Sequence, residues 1–328
     1  MDNVLITGGA GFIGYHLASN LLDNGARVTL LDNFSRGKAD ADLKALLKQG
    51  NHCKMVMGDL TEKETLKSLG DDYDLVYHLA ALMSVKYATE IPHRMIRDNI
   101  LSTINVLDWF SERRKGRILL SSTSETYSTG IYPLPIPTSE NVPLIVDDVF
   151  NPRYSYKGSK ILSEMLFANY AKAFSIDMTI VRYHNIYGPR MGYEHVIPEL
   201  SMRILRREDP FKVYSPGQTR AFCYVDDAVD ATIKVMSCPK AASQIINVGN
   251  DSEEIRIGEL VLKLLNMVDY HPTVEFLPPP PGSPDRRCPD IGKLKGLTDF
   301  SPRVALDDGL LKTYRWYEAR YKEEEGLK

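Results

Sequence analysis

A chain of 328 residues, with 43% hydrophobic and 25% charged residues, has enough core for one large or two ordinary domains. Its formal net charge of -3 gives no nucleic-acid footprint, and no apolar run reaches membrane-spanning length. The N-terminus runs straight into a strand pattern, leaving no room for a signal peptide. Cys53, Cys223, Cys238 and Cys288 are scattered without a C-x-x-C pair, so a cytoplasmic protein with reduced thiols and no zinc site is expected.

Val4-Leu5-Ile6 predicts the first strand, followed at once by Thr7-Gly8-Gly9-Ala10-Gly11-Phe12-Ile13-Gly14. Gly9, Gly11 and Gly14 fit G-x-G-x-x-G, and residues 13–22 have an amphipathic helix pattern. Backbone without Cβ atoms approaches a pyrophosphate closely, and the helix start offers free N–H groups to it. A second strand over 27–31 ends in Asp32, near the spacing of a carboxylate that accepts both ribose hydroxyls of an adenine dinucleotide. That charge repels a 2′-phosphate, favouring NAD over NADP. Arg36, a few residues on, is able in principle to bind such a phosphate, but its neighbours Ser35, Gly37 and Lys38 place it in a solvated loop.

The alternation continues: helix 40–49, strand 53–57, helix 62–69, strand 74–79 ending at Ala80-Ala81, helix 93–114, strand 117–121, helix 154–174 and strand 178–182. Strands separated by such helices imply right-handed crossovers, hence an α/β fold with a doubly wound parallel sheet of the Rossmann type. The expected division is a cofactor domain over 1–183, rejoined by segments at about 222–250, and a smaller C-terminal substrate-binding region over 184–328. Residues 224–236 read as a helix and 244–248 as a strand. Pro278 to Pro281 reads as a rigid loop, and residues 322–328 as a frayed end. His78 falls at a strand end and His184 beside a binding loop; His195 is a candidate ligand contact, and no histidine has metal-ligand spacing.

Tyr156 and Lys160 stand four residues apart, which puts them on one helix face. A lysine beside a tyrosine favours phenolate, lowering a pKa otherwise near ~10 and producing a usable base. The pair follows a dinucleotide fingerprint and a strand ending in Ser121-Ser122-Thr123-Ser124-Glu125.

Over nearly its whole length the chain resembles the extended short-chain dehydrogenase/reductases that modify nucleotide sugars. The resemblance rests on TGGAGFIG at 7–14, Asp32, GDL at 58–60, HLAA at 78–81, Asn99, STSETY at 122–127, YKGSK at 156–160, RYHNIYGPR at 182–190, QTRAFCYVDD at 218–227 and DRRCPDI at 285–291. It implies tightly held NAD, no metal, and a homodimer joined through the two long helices. It also implies that Gly8, Gly11, Phe12, Ile13 and Gly14 cradle the cofactor, with Asp32 and Asn33 on its ribose. Asp59 and Leu60 resemble the adenine pocket, and Ala80 completes that wall. Asn99 resembles either a cofactor contact or a support for the active-site helix. Tyr156 resembles the base for the sugar 4-hydroxyl, Thr123 shares that hydrogen bond, and Lys160 holds the nicotinamide ribose. Asn185, Arg220, Arg287 and Ser124 resemble substrate-binding residues; arginine's fork matches phosphate oxygens.

The family's shared step is oxidation at C4 of the sugar, after which members epimerise, dehydrate or decarboxylate. Simple 4-epimerases tend to carry a small or apolar residue at the place of Glu125. Thr123-Ser124-Glu125 is similar to UDP-glucuronate decarboxylases and to some 4,6-dehydratases, while dTDP-glucose dehydratases usually have Asp-Glu where this chain has Ser124-Glu125. QTRAFCYVDD and DRRCPDI look most like the decarboxylases, in which the arginine matching Arg287 can also assist near the carboxylate. Thr126-Tyr127-Ser128 stands where the family has V-Y-G, and residues 193–198 are closer to amino-sugar dehydratases and assorted epimerases. The resemblance is thus nearest to a decarboxylase of a UDP-sugar, with 4,6-dehydratase and 4-epimerase as alternatives. A non-catalytic NAD-binding regulator would carry a damaged Tyr/Lys/Thr set; all three residues are intact.

Overall fold

The computed structural model describes residues 2–48, 50–70, 72–113, 115–127, 133–279 and 284–326. Residues 280 and 281 of the proline run, and Ser128, lie outside these. In chain order the first half is β1 (Asn3–Thr7), α1 (Phe12–Asp23), β2 (Arg27–Asp32), α2 (Ala41–Leu47), β3 (Cys53–Met57), α3 (Lys63–Lys67), β4 (Leu75–His78), α4 (Val85–Glu90), α5 (Pro92–Arg113), β5 (Arg117–Thr123), α6 (Ser155–Phe174) and β6 (Asp177–Tyr183). There follow β7 (Ile186–Tyr187), α7 (Val196–Leu205), β8 (Phe211–Tyr214), β9 (Thr219–Ala221), β10 (Cys223–Tyr224), α8 (Val225–Ser237) and β11 (Gln244–Val248). The chain closes with β12 (Glu254–Arg256), α9 (Ile257–Met267), β13 (Val274–Leu277), β14 (Arg286–Arg287), α10 (Gly292–Thr298) and α11 (Leu306–Glu324).

Seven strands form one parallel sheet in the order β3-β2-β1-β4-β5-β6-β11. Strand side chains alternate between faces, and the apolar residues divide accordingly. Val4, Ile6, Val28, Leu30 and Leu119 join the core beneath α1 and α8, whereas Leu5, Leu31, Ile118 and Leu120 join the core beneath α5 and α6. With both faces covered, the strands are almost continuously apolar. Strand order reverses between β1 and β4, and the crevice above their carboxyl ends is where such sheets bind ligands.

Hydrogen bonds join the two long helices, Asn99 Nδ2 donating to Ser159 Oγ at 3.0 Å and Thr103 meeting Ser163 at 3.1 Å. Beyond β6 the chain forms three small sheets: β7 with β10, β9 between β12 and β14, and β8 with β13. Several elements differ from the sequence expectation. Helix 62–69 contracts to the five residues of α3, and α4 is a short extra helix opened by Ser84, whose hydroxyl accepts from Lys86 N–H. Residues 322–324 are the last turn of α11 rather than a frayed end, because Tyr314 and Tyr317 bury one face of that helix.

Arg182, almost fully buried on β6, ties this framework together. Its guanidinium donates to both Glu164 carboxylate oxygens (3.0 and 2.7 Å), to Tyr127 Oη (3.0 Å) and to the Glu140 carbonyl. Ser122 also donates to Glu164. Removing one partner of such a pair leaves the other charge buried alone, which costs about 3–5 kcal/mol. Glu164→Ala is therefore expected to lower unfolding stability by about that amount; a chemical-denaturation midpoint within error of the parent would contradict it.

Candidate active site

The first βα turn is shaped by contacts that only glycine permits. Gly8 has φ +71°, and its N–H donates to the Leu31 carbonyl at 2.8 Å. A Cβ there would lie 2.8 Å from the Ala80 nitrogen; one on Gly11 would lie 3.1 Å from the Gly8 carbonyl oxygen, and one on Gly14 would collide with it. The left-handed residue is thus Gly8, while Gly9 packs against Leu30. No side chain caps α1 at Gly11, and its first turn carries no acidic residue. The N–H groups of Phe12 and Ile13 and the positive helix end remain available to an anion.

Asp32 accepts from Ala10 N–H (3.0 Å) and Phe34 N–H (2.8 Å), which fixes its carboxylate against the turn. Burial raises its pKa, partly offset by those bonds. Asn33 donates to Asp59 at 3.0 Å; burial raises the Asp59 pKa, but bonds from Thr61 and Asn33 more than offset it and the net shift is downward. With Leu60 and Ala80 these residues line a continuous cleft of about 660 Å³ that reaches Thr123, Glu125, Tyr156 and Asn185. Asn99 spends its amide on the Leu82 backbone and on Ser159, which is a supporting arrangement for the active-site helix. A capless helix end, a glycine cradle and an anchored carboxylate fit a dinucleotide.

At the far end, Thr123 closes β5 and its Oγ1 accepts from Glu125 N–H at 3.2 Å. Lys160 lies 5.9 Å from the Tyr156 ring centre, as one-face spacing requires. Its ammonium donates to the Ser121 carbonyl at 2.8 Å, and burial pushes its pKa down to about 8. The expected lowering of the tyrosine pKa is not realised in this arrangement. Burial raises the Tyr156 pKa, the Glu125 charge raises it further, and the opposing cation is Arg36.

Glu125 faces Arg287 at 3.8 Å. Arg287 on β14 lies in register with Arg220 on β9. Burial pushes the Arg220 pKa down to about 10, with the Arg287 charge adding to the effect. Burial lowers that of Arg287 too, against the raising influence of Glu125. Two adjacent guanidiniums with one nearby carboxylate form a site for a multiply charged anion. Asn185, at φ +43°, donates to the Ala221 carbonyl beside them. Ser124 is not on the cleft wall; the 3₁₀ turn after β5 rotates it inward to 6% exposure.

Arg36 lies in an exposed loop between β2 and α2, as expected, but its guanidinium extends to Gly192, and burial there lowers its pKa. The cleft also includes Tyr87, Arg94, Arg190, His195, Trp316 and Arg320. Of these only His195 was named from the sequence as a candidate contact; Arg190 closes the RYHNIYGPR motif without a role being read for it, and Tyr87, Arg94, Trp316 and Arg320 carry no motif.

This switch-point cleft, with a glycine cradle at one end and a Tyr/Lys/Thr set at the other, defines a dinucleotide-binding α/β enzyme. Residues 4–249 match the model of the NAD dependent epimerase/dehydratase family, and the chain belongs to that family. It is 36% identical over 323 residues to a UDP-N-acetyl-alpha-D-glucosaminuronate decarboxylase of Bacillus cytotoxicus, covering 95% of this chain and 97% of that protein. It is 34% identical to UDP-glucuronic acid decarboxylase 3 of Arabidopsis thaliana, covering 94% and 86%. Among solved structures it is similar to UDP-glucuronic acid 4-epimerase from Bacillus cereus in complex with UDP-glucuronic acid and NAD, with TM-score 0.84, 28% identity, and 97% and 100% coverage. Among the described residues, no helix is long and apolar enough to cross a membrane.

Two consequences are measurable. Gly8→Val forces a branched side chain into a left-handed turn against Ala80, so dinucleotide affinity is expected to be lost; unchanged affinity by calorimetry would refute the cradle. Burial also pushes the pKa of His78 down to about 3, with Lys160 adding to the shift, and that of His184 down to about 4. The unfolded chain binds these protons near pH 6.5 and the folded chain does not, so their contribution is full above about pH 6.5 and falls as pH drops. Stability is expected to decrease by about 2 kcal/mol per histidine at about pH 5. Thermal unfolding across this range checks it, and a melting temperature that rose on acidification would contradict it.

Proposed function

We propose that this chain is a lyase that removes carbon dioxide from a UDP-hexuronate of the UDP-glucuronate type, through a transient 4-keto sugar and with NAD as its cofactor. The observation that carries this reading is the Glu125–Arg287 pair, 3.8 Å apart and directly beyond Thr123 and Tyr156. A carboxylate and a guanidinium at that place suit chemistry at C5 and C6, which a plain 4-epimerase does not perform.

Gly8, Gly11, Phe12, Ile13, Gly14, Asp32, Asn33, Asp59, Leu60 and Ala80 are the residues that would hold NAD, which when bound supplies the hydride acceptor for C4. Tyr156 takes the proton of the 4-hydroxyl as C4 is oxidised and gives it back when, after carbon dioxide has left, the same hydride returns to the 4-ketone, so no net oxidation remains; Thr123 hydrogen-bonds the same oxygen. Lys160, held by the Ser121 carbonyl, keeps a positive charge at the base of this group. Once C4 is a ketone, a C6 carboxylate is β to it. The C5–C6 bond then breaks with loss of carbon dioxide, its electron pair passing into the C4 carbonyl, and a proton returns to C5. Arg287 orients the departing carboxylate, and Glu125 lies where that proton must be delivered. Arg220 and Asn185 meet the diphosphate.

The two named relatives, both decarboxylases of uronate sugars, support this choice. In this reading residues 1–183 with the segment at about 222–250 hold the cofactor, and the remainder of 184–328 holds the nucleotide sugar. A homodimer through α5 and α6 is supported by Ile96, Leu162 and Met165, large apolar side chains exposed on those helices. Four free thiols accord with a cytoplasmic location.

The test is mass spectrometry of products after incubation with NAD and UDP-glucuronate, UDP-N-acetylglucosaminuronate, UDP-glucose or GDP-mannose. Loss of carbon dioxide from either uronate is expected. Loss of water from UDP-glucose or GDP-mannose would replace this reading with a 4,6-dehydratase, and a product of unchanged mass with altered ring couplings by NMR would replace it with a 4-epimerase. Tyr156→Phe is expected to lower turnover by about 10²–10⁴-fold while NAD binding survives; unimpaired turnover would remove Tyr156 from the chemistry.

A further inference from the structure

Lys157 follows Tyr156 in the chain and takes no part in the chemistry above, yet its side chain is buried beside it. Its ammonium donates to the Asp147 carboxylate at 2.5 Å, and the two side chains are 2% and 0% exposed. The ammonium also lies 5.2 Å from the Tyr154 ring centre. Burial lowers the Lys157 pKa, Asp147 raises it, and the nearby charges of Arg287 and Glu125 act on it with opposite signs. Taking two charges out of water is costly and is offset only by close, directional pairing. A pair of this kind adds little net stability; what it holds is a position.

Asp147 belongs to a segment whose other end is fastened next to Arg287. Thr138 N–H donates to the Cys288 carbonyl and Asp290 N–H to the Thr138 carbonyl, both at 2.9 Å, in a parallel bridge opposite Pro289. The Asn247 amide donates to the Thr138 carbonyl (3.0 Å) and its N–H to the Glu140 carboxylate (2.8 Å), while Arg182 donates to the Glu140 carbonyl. Between these anchors residues 141–146 form neither helix nor strand. Pro143 fixes one φ there, and Leu144 and Ile145 are half-buried. Each anchor is thus one planar peptide away from the chemical end, since Cys288 follows Arg287 as Lys157 follows Tyr156.

We propose that residues 138–147 are a strap that sets the separation of Arg287 from Tyr156, with Asp147 and Lys157 as its positioning residues. This rests on the decarboxylase reading, in which Tyr156 serves C4 and Arg287 orients the departing carboxylate. Tyr156 has further fasteners on its own helix, because Lys160 donates to the Ser121 carbonyl and Asn99 to Ser159. Arg287 sits on a strand of only two residues. Slackening the strap therefore leaves oxidation at C4 in place and misplaces the guanidinium at the bond that must break.

The test is single-turnover kinetics of the full chain with NAD and UDP-glucuronate or UDP-N-acetylglucosaminuronate. It compares the parent, Asp147→Asn, and the double variant Lys157→Met with Asp147→Val. Absorbance of reduced nicotinamide reports oxidation at C4, and carbon dioxide release reports the later step. The double variant replaces the pair by apolar residues close to it in size, a change that commonly leaves stability intact, so folding is separated from positioning. Both variants are expected to release carbon dioxide about 10- to 100-fold more slowly, the cost of a misplaced group. Nicotinamide reduction should keep its parental rate, so the reduced form accumulates. Parental carbon dioxide release in Asp147→Asn would overturn the strap, and in the double variant would mean that the pair serves stability alone. Equal slowing of both steps would place the effect on Tyr156 and overturn it too. A parent that releases carbon dioxide from neither uronate overturns the decarboxylase reading and the strap with it.

Discussion

The approach of the Gly8 backbone to Ala80 is the contact on which the site depends. It lies where β1 and β4 sit side by side in the sheet and their connections leave in opposite directions. Because neither backbone carries an obstructing Cβ at Gly8, the turn sinks between the strand ends and aims the first turn of α1 into the crevice. Asp32 locks it from the β2 side through Ala10 N–H. His78 and Thr7 lock it from beneath, their side chains meeting at 2.8 Å in full burial. A bulkier residue at Gly8 would move the helix end, the Asp32 carboxylate and the 79–83 segment together.

Electrostatics divides the cleft into two ends with different needs. At the glycine end, partial positive charge comes from backbone dipoles and costs no desolvation when the protein folds. At the chemical end, full charges are buried close to one another. Arg220 and Arg287 are in register on neighbouring strands, and their mutual repulsion is relieved by Glu125 beside Arg287 and by Asp285 beside Arg220. Tyr156 and Lys160 are both pushed toward their neutral forms by burial. The empty protein therefore stores unfavourable burial that an anionic ligand offsets, as expected where charge is arranged for binding and proton transfer rather than for stability.

Much of this was legible in the chain. The seven-stranded sheet could be read strand by strand, because buried parallel strands are short apolar runs and their helices have clear periodicity. The Tyr156–Lys160 spacing and the glycine turn survived translation into three dimensions because both are local. Other features did not. Which glycine takes the left-handed conformation depends on a contact with Ala80, beyond β4 and far away in the chain, and the local pattern does not single out Gly8. Ser124 was expected among the substrate contacts from the family resemblance, yet the 3₁₀ turn after β5 buries it. Arg36 sits in the exposed loop its polar neighbours suggested, but the reach of its guanidinium to Gly192 is not written in the local sequence.

The sequence by itself determined the fold class, the dinucleotide fingerprint, the family resemblance and the residues able to carry proton transfer, since each is written in local spacing and side-chain chemistry. Only the tertiary structure decided which charges meet. The Glu125–Arg287 pair, the register of Arg220 with Arg287 and the reach of Arg36 to Gly192 join segments 67 to 162 residues apart. Coulombic coupling and desolvation depend on distance and burial in space, and neither quantity has a counterpart in the order of residues along the chain.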